Sequence, residues 1–224
     1  GPGKEIDIGK TMTHLTLRIV GRTLFGIELG GGADESTAAF GEALSHAALR
    51  SSGVRLPLWL PTPRNVRMKK ALETLDESVY RIIDHARREP SDPPTMLDML
   101  LGVRDEDSGK PLTQLELRDE VMTMYLAGHE TTALTLTWAC YLLAQRPDVQ
   151  DELAEEAQQV LGDRLPRMAD CPNLPKLRAA IDETLRIRGP VWALARNVVE
   201  PDEIQGHAIP KGAIVVPCPF LLHQ

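Results

Sequence analysis

The chain has 224 residues, 42% of them hydrophobic and 25% charged, with a net charge of −7, the composition of an ordinary globular protein. The acidic balance carries no basic footprint for nucleic acid, and three cysteines scattered at 140, 171 and 218 make neither a disulfide framework nor a metal knuckle. No apolar run is long enough for a bilayer span and no signal peptide opens the sequence, so a cytoplasmic setting is expected.

In chain order, Met12, Leu15, Ile19 and Leu24 recur at helical spacing up to Gly26. Gly30-Gly31-Gly32 reads as a loop, with Asp34 to Ser36 as caps for a helix ending near Ser52. Pro57, Pro61 and Pro63 then lead into a helix with Met68, Leu72, Leu75, Val79, Ile82 and Ala86 on one face. Pro90 to Pro94 breaks it, Thr95 opens a short helix to about Leu101, and 104–110 is a charged turn.

A very long helix follows. Thr113-Gln114-Leu115-Glu116 has the pattern of a capping box, and helical texture runs to about Gln145, just before Pro147. Some 33 residues at 1.5 Å each span about 50 Å. From Val121 to Ala144 the sequence is apolar on almost every face, which predicts a central helix buried on all sides. An amphipathic helix from Pro147 to Leu161 comes next, then one from about Leu174 to Ile187, capped by Asn173 and stopped by Gly189-Pro190. Beyond Pro190 the stretches 191–199, 203–209 and 213–216 read as short strands, with Ile209-Pro210-Lys211-Gly212 as a turn. The fold class is mainly α with a small β annex: one domain over 1–224, helical across 10–188 and β-rich across 190–220.

The long helix breaks its own rules at Ala127-Gly128-His129-Glu130-Thr131-Thr132. A mid-helix glycine gives up about 1 kcal/mol of propensity, and a buried acid needs a partner or a raised pKa. Such departures concentrate at working sites. Ala127 and Thr131 share a face, and Gly128 beside them leaves it nearly bare for a flat or bulky group. A hydroxyl next to an acid can relay a proton; the simpler reading is that Thr131 bonds back to the carbonyl of Ala127 and bends the helix. His129-Glu130 begins the zinc-protease pattern, but position 133 is Ala133, so no metal ligand set exists there and His129 reads as a packed or hydrogen-bonded histidine. Glu183 and Arg186, three apart, can pair on a helix face, which by itself is common for a solvated surface pair. Arg196, in an apolar stretch, either points inward to an anion or lies on an edge. Asp105, Glu106 and Asp107 lack the order of a calcium loop.

Together these residues resemble the cytochrome P-450 family of haem-thiolate monooxygenases. Ala127 to Thr132 is similar to the family's oxygen-activating motif on its central helix, and Glu183 to Arg186 to its Glu-x-x-Arg. Arg196 and the turn at 209–212 resemble the strand region that follows. Residues 17–29, with Arg22-Thr23-Leu24-Phe25-Gly26, resemble the E helix, and 64–88 the G helix. The resemblance implies a haem beneath Ala127 and Gly128, with Thr132 beside it and a propionate on Arg196. It implies that Glu130 and Thr131 deliver protons, and that Met124, Tyr125, Val191, Trp192, Ala193 and Leu194 line a pocket for an apolar substrate. Glu183 and Arg186 would be structural, and a redox-partner protein would supply electrons. The family's Phe-x-x-Gly-x-x-x-Cys-x-Gly loop is absent from residues 1–224: Cys218 lies in Val216-Pro217-Cys218-Pro219-Phe220. The expectation is therefore an incomplete P-450 domain, inactive alone because thiolate ligation drives the chemistry. The alternative is a haem-free helical module for binding or oligomerisation, associating through an apolar cleft at Leu126, Ala127, Thr131 and Leu134.

Overall fold

A computed structural model of the chain describes residues 3, 5–29, 33–52 and 57–223. The expected loop at Gly30 to Gly32 and the side chain of Asp34 lie outside them. The chain divides into two compact units, residues 1–133 and 134–224.

In the first unit, α1 (Ile8–Leu24) starts where the Asp7 carboxylate accepts the Lys10 N–H at 3.0 Å. It ends where the N–H groups of Phe25 and Ile27 both donate to Gly21 O, with Gly26 at φ +68° between them. The face expected from Leu15 and Ile19 is turned to solvent, at 44% and 50% exposure, and Leu17, Val20 and Gly21 are buried instead. α2 (Ala33–Ser52) and α3 (Pro63–Arg88) pack on each other. Ser36, expected as a cap, is inside α2, and its hydroxyl lies 2.9 Å from that of Ser78 in the core. Along α3 the expected face holds: Leu75, Val79, Ile82 and Ala86 are buried. α4 (Met96–Gly102) is capped by a reciprocal Thr95–Asp98 box.

The long helix α5 spans Gln114–Leu143, 30 residues. Its capping box is present: Thr113 N donates to the Glu116 carboxylate at 2.8 Å, and Glu116 N donates to Thr113 Oγ1 at 3.2 Å. Arg118 on α5 holds Asp76 on α3, with Nε 2.7 Å from Oδ1. Burial on all sides is corrected. Buried positions are Leu117, Val121, Met122, Tyr125, His129 and Ala133, a single stripe at helical spacing. Leu134 and Tyr141 stand 40% and 56% exposed. Apolar composition shows what a helix can bury, whereas the elements packed against it decide which side is buried.

In the second unit, α6 is Pro147–Leu161, a 3-10 turn covers Met168–Asn173, and α7 is Pro175–Arg188. Asn173 does not cap α7. The Glu156 carboxylate of α6 does so, accepting the N–H groups of Lys176 and Leu177 at 2.8 and 2.9 Å. An acid at a helix N-terminus satisfies orphan donors and complements the dipole.

Strand β1 (Arg196–Asn197) pairs antiparallel with β4 (Ile214–Val215). The stretch expected as one strand over 203–209 is a hairpin of β2 (Asp202–Ile204) and β3 (His207–Ile209). It turns on Gln205 and Gly206, both at positive φ, and Gln-Gly lacks the Asn-Gly cue that marks such turns in sequence. The next turn is shifted by one residue. Ala213 N donates to Pro210 O, placing Gly212 (φ +84°) third in the turn. A short α8 (Pro219–Leu222) was not anticipated.

Candidate functional site

Four of the five carbonyls from Tyr125 to His129 accept a side-chain donor. His129 Nδ1 lies 2.6 Å from Tyr125 O, Thr131 Oγ1 donates to Ala127 O at 2.8 Å, and Thr132 Oγ1 to Gly128 O at 3.1 Å. From α1, Thr16 Oγ1 is 3.0 Å from His129 O. Hydroxyls that back-bond within a helix compete with its ladder and loosen it, and Thr131 and Thr132 both do so here. Thr131 adopts the back-bonded conformation that the simpler reading anticipated. With its proton directed at Ala127 O, Thr131 Oγ1 turns its lone pairs away from the helix as acceptors.

Ala127 is exposed, Thr132 is exposed and Thr131 is half-buried. Gly128 has another task besides leaving a face bare. A Cβ there would lie 3.2 Å from Val20 Cγ2, so the glycine lets α1 approach α5 closely. Glu130 keeps a side chain 39% exposed, 3.8 Å from His129 Nε2 through Oε2.

Tyr125, expected at the substrate pocket, faces the core and is 3% exposed. It falls on the same stripe as Val121 and His129, four residues either side. Its phenol reaches Ser36, and burial pushes the phenol's pKa up. Met124 is partly buried against the same core.

The second unit carries the remaining expected residues. Val191, Trp192 and Leu194 are 48%, 66% and 40% exposed, and Ala193 is half-buried. They form an extended segment ahead of β1, anchored by Leu194 N to Pro217 O at 2.9 Å and by Cys218 Sγ to Trp192 O at 3.2 Å. Arg196 is exposed, and its Nη1 donates to Ala195 O at 2.9 Å. Among the described residues no carboxylate lies within ion-pair reach of it. Glu183 and Arg186 make a bidentate pair, both bonds 2.7 Å, and Arg186 also donates to His223 O. That arginine holds the Glu183 carboxyl below the ordinary carboxylate range, and the contact to His223 ties α7 to the residue that follows α8.

In the first unit, Ala127 offers a short, exposed side chain on α5 against which a flat apolar group can lie. In the second, Arg196 offers an anion a guanidinium with no competing carboxylate among the described residues. The free cysteines Cys140, Cys171 and Cys218 lie on α5, in the 3-10 turn and just ahead of α8. Sequence reasoning missed Thr16 and the clamp it places on α5. The only signal for it was a polar residue between Leu15 and Leu17.

A sequence model of the family described as Cytochrome P450 matches residues 1–224. The chain is 32% identical to cyclooctatin synthase of Streptomyces melanosporofaciens over 226 residues, 99% of this chain and 49% of that protein. It is 32% identical to pentalenene oxygenase of Streptomyces avermitilis over 218 residues, covering 96% of this chain and 48% of that one. The haem domain of cytochrome P450DA superposes with a TM-score of 0.81 at 24% identity, over 99% of this chain and 49% of that domain. The chain thus spans about half the length of the relatives it matches.

Proposed function

The chain belongs to the cytochrome P450 family, and on that premise we propose that it is part of a monooxygenase inserting one oxygen atom of O2 into an apolar organic substrate. Haem, when bound, supplies the iron at which dioxygen is reduced and split, with electrons arriving from a redox-partner protein. The observation that carries the reading is the Thr131 Oγ1 bond to Ala127 O, with the partly exposed Glu130 one residue earlier on α5. Thr131 Oγ1, its proton committed to Ala127 O at 2.8 Å, accepts a hydrogen bond at the exposed face and holds a proton donor there. Glu130, partly exposed one residue earlier, passes protons between solvent and that face. Ala127 keeps the surface low, with Gly128 and Thr132 beside it, and Arg196 neutralises a propionate.

Met124, Val191, Trp192, Ala193 and Leu194 are the residues proposed to meet substrate. The two Streptomyces relatives are named cyclooctatin synthase and pentalenene oxygenase, which supports a small organic substrate. Residues 1–224 alone are not expected to turn over, since the thiolate loop is not among them. A cytoplasmic setting belongs to the same reading; no helix among the described residues is long and apolar enough to cross a membrane.

The test uses the parent protein that carries this segment. Reduced and exposed to carbon monoxide, it should show the red-shifted Soret band of thiolate-ligated haem. Thr131→Ala should keep that band but divert most consumed oxygen to peroxide. No band in the parent, or unchanged coupling in the variant, removes the reading.

A further inference from the structure

His129 is 1% exposed, and three contacts fix it. Its carbonyl receives Thr16 Oγ1, its ring packs at 5.4 Å and 45° on Tyr125, and Nδ1 lies 2.6 Å from Tyr125 O. A carbonyl can only accept, so Nδ1 carries the proton of that bond. Among the described residues the other nitrogen, Nε2, has no hydrogen-bond partner, nor has Glu130 Oε2; both atoms are buried, 3.8 Å apart. Two acceptors facing one another in a dry site repel. One proton between them relieves both, because a buried polar atom left unpaired is costly.

We propose that His129 is a positioning residue for Glu130, a side-chain rotation closing the 3.8 Å gap between Nε2 and Oε2 to hydrogen-bond distance so that the two share one proton. The proposal deepens the monooxygenase reading and rests on it for its catalytic meaning. In one arrangement an imidazolium donates from Nε2 to the carboxylate. In the other the Nε2–H bond has broken, an O–H bond has formed on Oε2, and both groups are neutral. Net charge is the same in each, but the first buries an ion pair and the second no charge at all, so burial favours the neutral arrangement and contact the ionic one. Glu130 can then pass the shared proton toward the Thr131 face, and the pair takes up its next proton through the partly exposed Glu130 side chain.

From α1, the neutral Thr16 meets the His129 carbonyl and not the ring. From α5 the ring meets Glu130 and Tyr125, whose phenol burial keeps protonated and which feels the charge of Arg81 on α3. Among the described contacts, Glu130 is the charged group that faces the ring itself.

Nitrogen-15 NMR of the chain, with the His129 ring assigned through its own backbone resonances, reads the pair without haem. Glu130→Gln should move the His129 Nε2 resonance to that of an unprotonated ring nitrogen with no hydrogen bond. Glu130→Asp, which retains the carboxylate but draws it back, should give a smaller change in the same direction. A His129 Nε2 resonance that ignores both substitutions overturns the pairing. In the haem-loaded parent, His129→Gln should move the pH profile of oxygen coupling while leaving the carbon monoxide band in place; an unmoved profile overturns the role. Failure of the monooxygenase reading would appear instead as a missing band in the unsubstituted parent.

Discussion

Gly128 is where helix propensity and tertiary packing disagree. Alanine would gain about 1 kcal/mol in a helix interior, yet its Cβ would press on Val20 Cγ2 at 3.2 Å, and Val20 is only 7% exposed. Gly128→Ala should therefore gain little or lose stability by itself. In a Val20→Ala background the same change should stabilise by about 1 kcal/mol. Chemical denaturation of the four proteins in the cycle checks the coupling, and equal effects in both backgrounds would refute it. The sequence marked this position as costly; it could not show that α1 lies against it. Asp170 is a second residue with a measurable signature. Two bonds of 2.7 Å from Arg164 and one from Arg167 N lower its carboxyl pKa to about 2, Arg164 contributing most. A folded pKa below the unfolded value of about 3.9 means stability that is full above that value and is lost as pH falls through about 2. Asp170→Asn should lose stability at neutral pH and flatten the dependence between roughly pH 4 and 2. A thermal melt series whose slope in that window is unchanged would remove Asp170 as its cause.

Elements were legible where their signals are local and opaque where they depend on neighbours. The box at Thr113–Glu116 involves residues three apart and appears as expected, and Thr95 opens α4 as expected, with a box to Asp98 that had not been anticipated. The cap of α7 comes from Glu156, 20 residues upstream of Lys176, and spacing near Asn173 could not reveal it. Amphipathic α3 also matches its pattern, because the apolar face is narrow and has one core to meet. α1 does not, since its apolar residues are spread around the helix and Thr16 and Gly21 occupy the buried side. The end of α1 provides the element-scale prediction. Gly26 is in the left-handed region at φ +68°, and a Cβ there would meet Ser91 Oγ. Strain and crowding act in the same direction, so Gly26→Ala should cost on the order of 2 kcal/mol. Denaturant midpoints measure it; a loss below about 0.5 kcal/mol would mean that the turn re-forms without the positive φ.

At the scale of the whole chain, the two units expose more apolar surface than scattered single residues would give. On α7, Leu177, Ile181 and Leu185 repeat every four residues at 38%, 36% and 41% exposure, a stripe along one face. In the first unit, Leu15 and Ile19 on α1 are 44% and 50% exposed, again four apart. Stripes of this kind mark surfaces that bury against something, and each residue covered is worth about 1.5–3 kcal/mol. The 224-residue chain in solution should therefore self-associate in a concentration-dependent way. Replacing Ile181 and Leu185 with lysine should weaken that association, because two like charges on the stripe must be desolvated and repel their copies. The core of the second unit should be left intact by the change, since both side chains are already partly in water. Sedimentation velocity over a range of concentrations decides it. A single monomeric species throughout would show that the α7 stripe is tolerated in water, and association unaffected by the lysines would place the contact on another face.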